Sequence, residues 1–242
     1  MDGQFVETSN LPSKGVKYPE GIEIYVKPLT IKEQMDMSRY GITESEYFRI
    51  LLNGITVKGD FPKNMLYFHD VQFLDLVRRL YTYDIDQEIE VRDIECESCG
   101  EKFNGKFHFH ELQFTDFTED SFNQEYKFSD GLEVTAEPIT IKDFMEAGKK
   151  YFSTKKFSTT EVYLGYLSLC ISSVKERQFK DKSALQDFIY EYFSGLFKAS
   201  DRKILDKIEK NCVSTVVPFK MVCPKCGEIT EVSVNPTTQF QQ

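Results

Sequence analysis

Six cysteines stand in the chain, and four of them form two Cys-x-x-Cys pairs, Cys96 and Cys99 in CESCGE and Cys223 and Cys226 in CPKCGE. Two intervening residues let both thiolates of a pair point at one ion, and the glycine that follows permits the positive φ of a tight turn. Each pair has the form of half a zinc ribbon, and two such knuckles supply the four sulfurs of a tetrahedral zinc site. Cys96, Cys99, Cys223 and Cys226 are therefore the expected metal ligands, and structural zinc the expected cofactor. Three other arrangements stay open. Cys96 and Cys99 could form a local site with His108 or His110, although alternation puts Phe103, Phe107 and Phe109 on one face of that strand and Lys106, His108 and His110 on the other. The pairs could be redox dithiols, although such pairs normally open a helix, where the dipole lowers the thiol pKa. The site could also have lost its metal. Cys170, in the apolar run YLGYLSLCISSV, and Cys212 read as buried structural residues. His69 reads as a residue at a helix start or on the surface.

Little else in the chain offers chemistry. There is no phosphate-binding loop and no nucleophile elbow. With three histidines and no HExxH, a metallohydrolase is not expected. Zinc held by four thiolates leaves no open coordination position. The reading is a protein that is not an enzyme, with no catalytic residues and no small-molecule substrate.

Composition narrows the setting. A chain of 242 residues with 40% hydrophobic side chains can bury a core, and no apolar run reaches the ~18 residues of a membrane span. The first residues lack a basic stretch followed by an apolar one, so no secretory signal is expected. In a reducing compartment, Cys-x-x-Cys pairs favour metal over disulfide chemistry. The net charge of −9 is uneven. Residues 1–120 carry 13 basic and 23 acidic side chains (−10), and residues 121–242 carry 17 and 16 (+1). Nucleic acid is not expected as a partner, because its binding draws on Lys and Arg at phosphates.

The elements that must position the cysteines follow from an internal repeat. GIEIYVKPLTIKEQMDMSR at 21–39 aligns without a gap on GLEVTAEPITIKDFMEAGK at 131–149, at an offset of 110. Alternating Ile22, Ile24 and Val26 predict a strand, which Pro28 ends. Thr30 with Glu33, and Thr140 with Asp143, have capping-box spacing at a helix start. Both halves close on strand, Cys-x-x-Cys-Gly-Glu turn, strand, at an offset of 127, which leaves 17 residues for one extra helix in the second half. Between these ends the first half predicts helices from Thr43 to about Asn53 and from Val71 to Tyr81. The second predicts helices near 141–152, 160–176, 184–197 and 201–211, with Ser183 and Ser200 as caps.

The expected fold class is α+β, an internal duplication of strand, helical cluster and zinc-knuckle hairpin, with the two hairpins forming one zinc-ribbon-like site. The expected divisions are an N-terminal arm at 1–20, a first unit at 21–110, a linker at 111–130, a second unit at 131–234 and a tail at 235–242. The arm is read as disordered or as ordering against another subunit. The linker is read as strapped down by Phe114, Phe117, Phe122 and Phe128.

The strand with VKPLTIKEQ at 26–34, the helical middle and the closing CPKCGE at 223–228 resemble the baseplate hub proteins of T-even-type contractile-tailed phages, in particular the small hub subunit and hub assembly family. The resemblance covers most of the chain. It implies structural or assembly work in the hub, with other tail or baseplate proteins as partners, in the host cytoplasm during assembly and in the virion tail baseplate. The competing readings are a zinc-ribbon module for nucleic acid or transcription and a protein-binding adaptor. Acidic Asp93, Glu95, Glu97 and Glu101 around the first knuckle weigh against the nucleic-acid module.

Overall fold

The computed structural model describes all residues except 1–2, 84–87, 118, 152–158, 197, 214–215 and 233–242. The expected C-terminal tail lies outside the described residues. The first half contributes β1 (Gln4–Val6), β2 (Glu23–Val26), α1 (Ile31–Met37), α2 (Glu44–Asn53), β3 (Ile55–Lys58), α3 (Phe68–Tyr83), β4 (Glu88–Glu95) and β5 (Lys102–His108). The second contributes β6 (Gln124–Lys127), β7 (Glu133–Ala136), α4 (Ile141–Tyr151), α5 (Thr159–Cys170), β8 (Ile171–Val174), α6 (Lys182–Ser194), α7 (Ala199–Cys212), β9 (Phe219–Val222) and β10 (Ile229–Val232). The fold is mixed helix and sheet, of the α+β class. Two three-stranded antiparallel sheets, β1-β2-β3 and β6-β7-β8, accompany two hairpins, β4-β5 and β9-β10.

Register ties the two sheets together position by position. Val26 pairs with Gln4 and Ile55, and Ala136 pairs with Gln124 and Ile171. Just past these pairs the Lys27 N–H donates to Gly54 O at 2.9 Å, and the Glu137 N–H donates to Cys170 O at 2.8 Å. A second correspondence joins the first loop of each half to a helix start. The Ser13 N–H and Oγ–H donate to the two oxygens of Asp70 at 2.9 and 2.6 Å. Ser129 grips Asp201 in the same way at 2.9 and 2.7 Å. Asp70 and Asp201 are both buried in the first turns of α3 and α7, where a carboxylate also meets the positive end of the helix dipole. Among the described residues, α6 is therefore the helix that no helix of the first half matches.

The first half adds charge to this frame. Arg78 of α3 is buried and donates to Lys27 O at 2.7 Å and Leu51 O at 3.3 Å, and it pairs with Glu33 at 2.7 Å. Glu33 also closes the capping box with Thr30, so one guanidinium holds the end of β2, the end of α2 and the start of α1. A Cβ on Gly54 would lie 1.9 Å from the Arg78 guanidinium carbon. The corresponding residue of the second half is Cys170.

One apolar core runs through both halves. Phe48 of α2, Phe68 of α3 and Tyr166 of α5 all meet Phe144 of α4, with ring centroids 4.7–5.6 Å apart. A short antiparallel bridge also crosses between the halves at Tyr67 and Thr140. There the Phe68 N–H donates to Ile139 O and the Ile141 N–H to Leu66 O, both at 2.9 Å.

Several expectations change. Residues 3–20 do not form a free arm. They supply β1, bury Leu11 and Ser13, and send the Tyr18 hydroxyl to Asp70. Within 111–130, residues Gln124–Lys127 form β6, while Phe117, Phe122 and Phe128 are buried as expected and Phe114 packs on Phe73. The helix expected over 160–176 ends at Cys170, because Ile171–Val174 pairs with β7, and cross-strand pairing outweighs a helical apolar run. Asp181, not Ser183, caps α6 through the Ala184 N–H, and Lys198, not Ser200, precedes α7. His69 is fully buried, its ring 4.2 Å from that of Phe117.

Two stability outcomes follow. Asp70→Ala strands the Ser13 and Tyr18 donors and costs roughly 2–4 kcal/mol by urea unfolding, more than Asp201→Ala, which strands Ser129 alone. Gly54→Ala drives Arg78 off its partners and costs about 3 kcal/mol or more. Cys170→Ala at the corresponding position costs much less in the same assay.

A candidate metal centre between two hairpins

Each cysteine pair sits in the turn of one hairpin. In the first, the Cys96 N–H donates to Glu101 O at 2.9 Å and the Gly100 N–H to Cys96 O at 2.8 Å. In the second, the Cys223 N–H donates to Glu228 O at 2.8 Å and the Gly227 N–H to Cys223 O at 3.0 Å. Gly100 and Gly227 take φ values of 69° and 78°, a region that glycine enters without steric cost. The turns are thus the same structure built twice, and each turns both of its thiols towards the other hairpin.

The four sulfurs converge. Cys96 Sγ lies 3.6 Å from Cys226 Sγ, and Cys99 Sγ lies 3.7 Å from Cys223 Sγ. All four fall within 4.8 Å of one another. Four sulfurs around an ion at roughly 2.3 Å would be spaced about 3.8 Å apart, so the cluster has the dimensions of a tetrahedral thiolate site and could bind a metal ion. Cys96 and Cys223 are buried, while Cys99 and Cys226 are exposed. The backbone N–H groups of Cys99 and Ser98 point at the Cys96 sulfur and push its pKa down to about 6. At Cys226 the Glu228 N–H draws the thiol down, but burial and the thiols of Cys99, Cys96 and Cys223 outweigh it and raise it to about 12. The thiols thus differ in how readily they ionise, and each thiolate disfavours the next.

The hairpins are brought together by a second apolar cluster. Val91, Ile94, Phe107, Val216 and Val232 are buried in it with Leu76 of α3 and Leu112. Phe107 stacks on Phe219 at 4.3 Å. The chain also crosses at Phe114 and Val216, where the Val217 N–H donates to Gln113 O at 2.8 Å. A bulge between Val91 and Ile94, with Asp93 at a φ of 56°, bends β4. At the mouth, Lys225 of the second knuckle pairs with Glu101 of the first at 2.8 Å.

The alternative ligands lie elsewhere. His108 pairs with Glu88 at the far end of the first hairpin, six residues or roughly 20 Å along the strand from Lys102 beside the knuckle. A local Cys–His site is therefore not formed. Neither cysteine pair opens a helix, so the dipole that tunes redox dithiols is missing at both. Cys170 and Cys212 are buried at the ends of α5 and α7.

Sequence reasoning missed one positioning residue. Gly105, inside β5, faces Met221 of β9, and a Cβ there would lie 2.0 Å from the Met221 sulfur and 3.0 Å from Ile94. A glycine within a strand signals close approach of another chain segment, and that signal was available in FNGKF. Gly105→Val pushes Met221 out of the contact and separates the hairpins. The expected cost is roughly 1–3 kcal/mol by thermal unfolding, with slower metal uptake than the unaltered chain.

Among the described residues no helix is long and apolar enough to cross a membrane. The searches of curated proteins and of solved structures found no match. The family model described as T4 bacteriophage base plate protein matches residues 5–240, from β1 through both halves and both knuckles. This chain belongs to the T4 bacteriophage base plate protein family, as a structural component of the phage tail baseplate whose partners are other tail proteins.

Proposed function

We propose that the chain is a non-enzymatic structural or assembly component of the baseplate hub, built from two related halves that one structural zinc ties together. The observation that carries this reading is the convergence of Cys96, Cys99, Cys223 and Cys226 from hairpins more than a hundred residues apart in sequence. The matching turns, the matching sheet registers and the repeated Ser–Asp grip support descent of both halves from one unit. A zinc bound there would neutralise the thiolates and cross-link the halves. The protein's own residues place the sulfurs, shield Cys96 and Cys223 from water, and close the mouth with Lys225 and Glu101. Four thiolates around the ion leave no open position for a reaction, in keeping with structural work. The exposed acids Asp93, Glu95 and Glu97 beside the first knuckle disfavour contact with a phosphate backbone.

Elemental mass spectrometry of the purified chain should find about one zinc per chain. Cys96→Ser and Cys223→Ser should each lose it or hold it far more weakly, since a single ion depends on both hairpins. Chelation should lower the melting temperature by on the order of 10 °C. Retention of a full, tightly held equivalent by either variant would sink the shared site. The hub assignment is tested separately, by locating a tagged chain in assembled tails. A central position supports it, and a peripheral one would overturn the hub reading.

A further inference from the structure

Corresponding faces of α1 and α4 meet different fates. The segments PLTIKEQM at 28–35 and PITIKDFM at 138–145 align residue for residue, and each helix packs on the next helix of its own half. In the second half Ile141 is fully buried and Met145 packs on the core. Their cover comes from the first half, from α2 and from the start of α3, through the bridge of Tyr67 to Thr140. In the first half the matching residues are open. Ile31 is 77% exposed and Met35 is 68% exposed, on one face four residues apart, and Tyr40 beyond them is fully exposed. Among the described residues, Thr30 has no counterpart of the bridge at Thr140.

The surface that would complete α1 is also present and also open. The start of α3, which covers α4, corresponds to the start of α7 through the shared Asp70 and Asp201. Tyr67 and Phe68 thereby match Lys198 and Ala199. Leu66 and Phe68 are buried against the second half, whereas Lys198, Ala199 and Ser200 are exposed. Lys198, Arg202 and Lys203 make that surface basic, and the first unit that carries α1, residues 21–110, has 11 basic and 16 acidic side chains, a net charge of −5.

We infer that the Ile31–Met35 face of α1 is a docking surface for a second copy of this chain, which presents the start of its α7. The contact repeats between chains the one that the start of α3 makes with α4 within the chain. It is heterologous: each copy offers α1 on one side and α7 on the other, so copies add head to tail into a ring or a filament. Gln34 stands where the second half has Phe144, so the intermolecular contact is less apolar than the internal one and reversible.

The test uses the purified full chain in sedimentation velocity from micromolar to millimolar concentration, with no other tail protein present. The unaltered chain should associate as its concentration rises. Ile31→Glu with Met35→Glu should weaken this by roughly a hundredfold, and Lys198→Glu should also weaken it. Both sites are exposed, so unchanged melting temperatures in dilute solution should show that the variants fold. Mixing the two variants should restore pairing but stop at dimers, since each carries one intact surface. A chain that stays monomeric throughout would overturn the inference and assign the α1 face to a different tail protein. Association untouched by the variants, or no pairing in the mixture, would overturn it equally. None of these outcomes depends on where the chain sits in the baseplate.

Discussion

Thiols that are to share one ion tolerate positional error of only about half an ångström, and here the two pairs lie 127 residues apart in the chain. The turns, the strands behind them and their root on α3 all bear on meeting that tolerance. The turns are rigid because each closes two backbone hydrogen bonds and ends on a glycine of positive φ. The strands behind them are fixed by Phe107 on Phe219 and by the closeness of Gly105 to Met221. Leu76 of α3 roots the hairpin cluster in the helical body of the first half. The site is therefore the end of a chain of packing that begins in the main core, and the metal would lock an arrangement that apolar contacts already favour.

The body itself is organised by buried charge. A buried ion pair contributes little net stability over a hydrophobic replacement, yet breaking one partner is costly. Asp75 with Arg79 and Tyr47 is of this kind, and buried Arg78 with a partly exposed Glu33 comes close to it. Asp70 is similar: burial raises its carboxyl above the ordinary value, while hydrogen bonds from Ser13 and Tyr18 work the other way. Such groups penalise any packing that leaves them unpaired, so they select one arrangement of β2, α1, α2 and α3. The second half has the Ser129–Asp201 grip and a more open Asp143–Lys182 pair, and it puts Cys170 where Gly54 gives way to Arg78. It relies instead on the apolar contacts of Phe144 and on the additional helix α6. The two halves thus reach their folds by different balances of polar and apolar forces.

The internal arrangement also has a direction. The first half covers α4 of the second half with the start of α3, while its own α1 keeps Ile31 and Met35 in water. A closed twofold pair would treat both helices alike. With duplicated halves, as proposed, the chain would be an open pair with unlike ends, which suits a component that builds contacts outward within a larger assembly.

Sequence alone determined what is local. The knuckle turns, each with its own pair of thiols, and the capping boxes at Thr30 and Thr43 are written in neighbouring residues, whose hydrogen bonds and turn geometry need no distant partner. What only the tertiary structure decided is non-local. β1 is three residues long, and β8 continues an apolar helical run, so both exist only because a partner strand satisfies their backbone groups. His69 reads as polar and lies in the core because Phe117 folds over it. The Ser13–Asp70 and Ser129–Asp201 grips span 57 and 72 residues, and neither residue type signals the other. Ile31 and Ile141 stand in nearly the same local sequence, and one is exposed while the other is buried. That difference cannot be local, because burial is decided by which surface arrives from elsewhere in the chain.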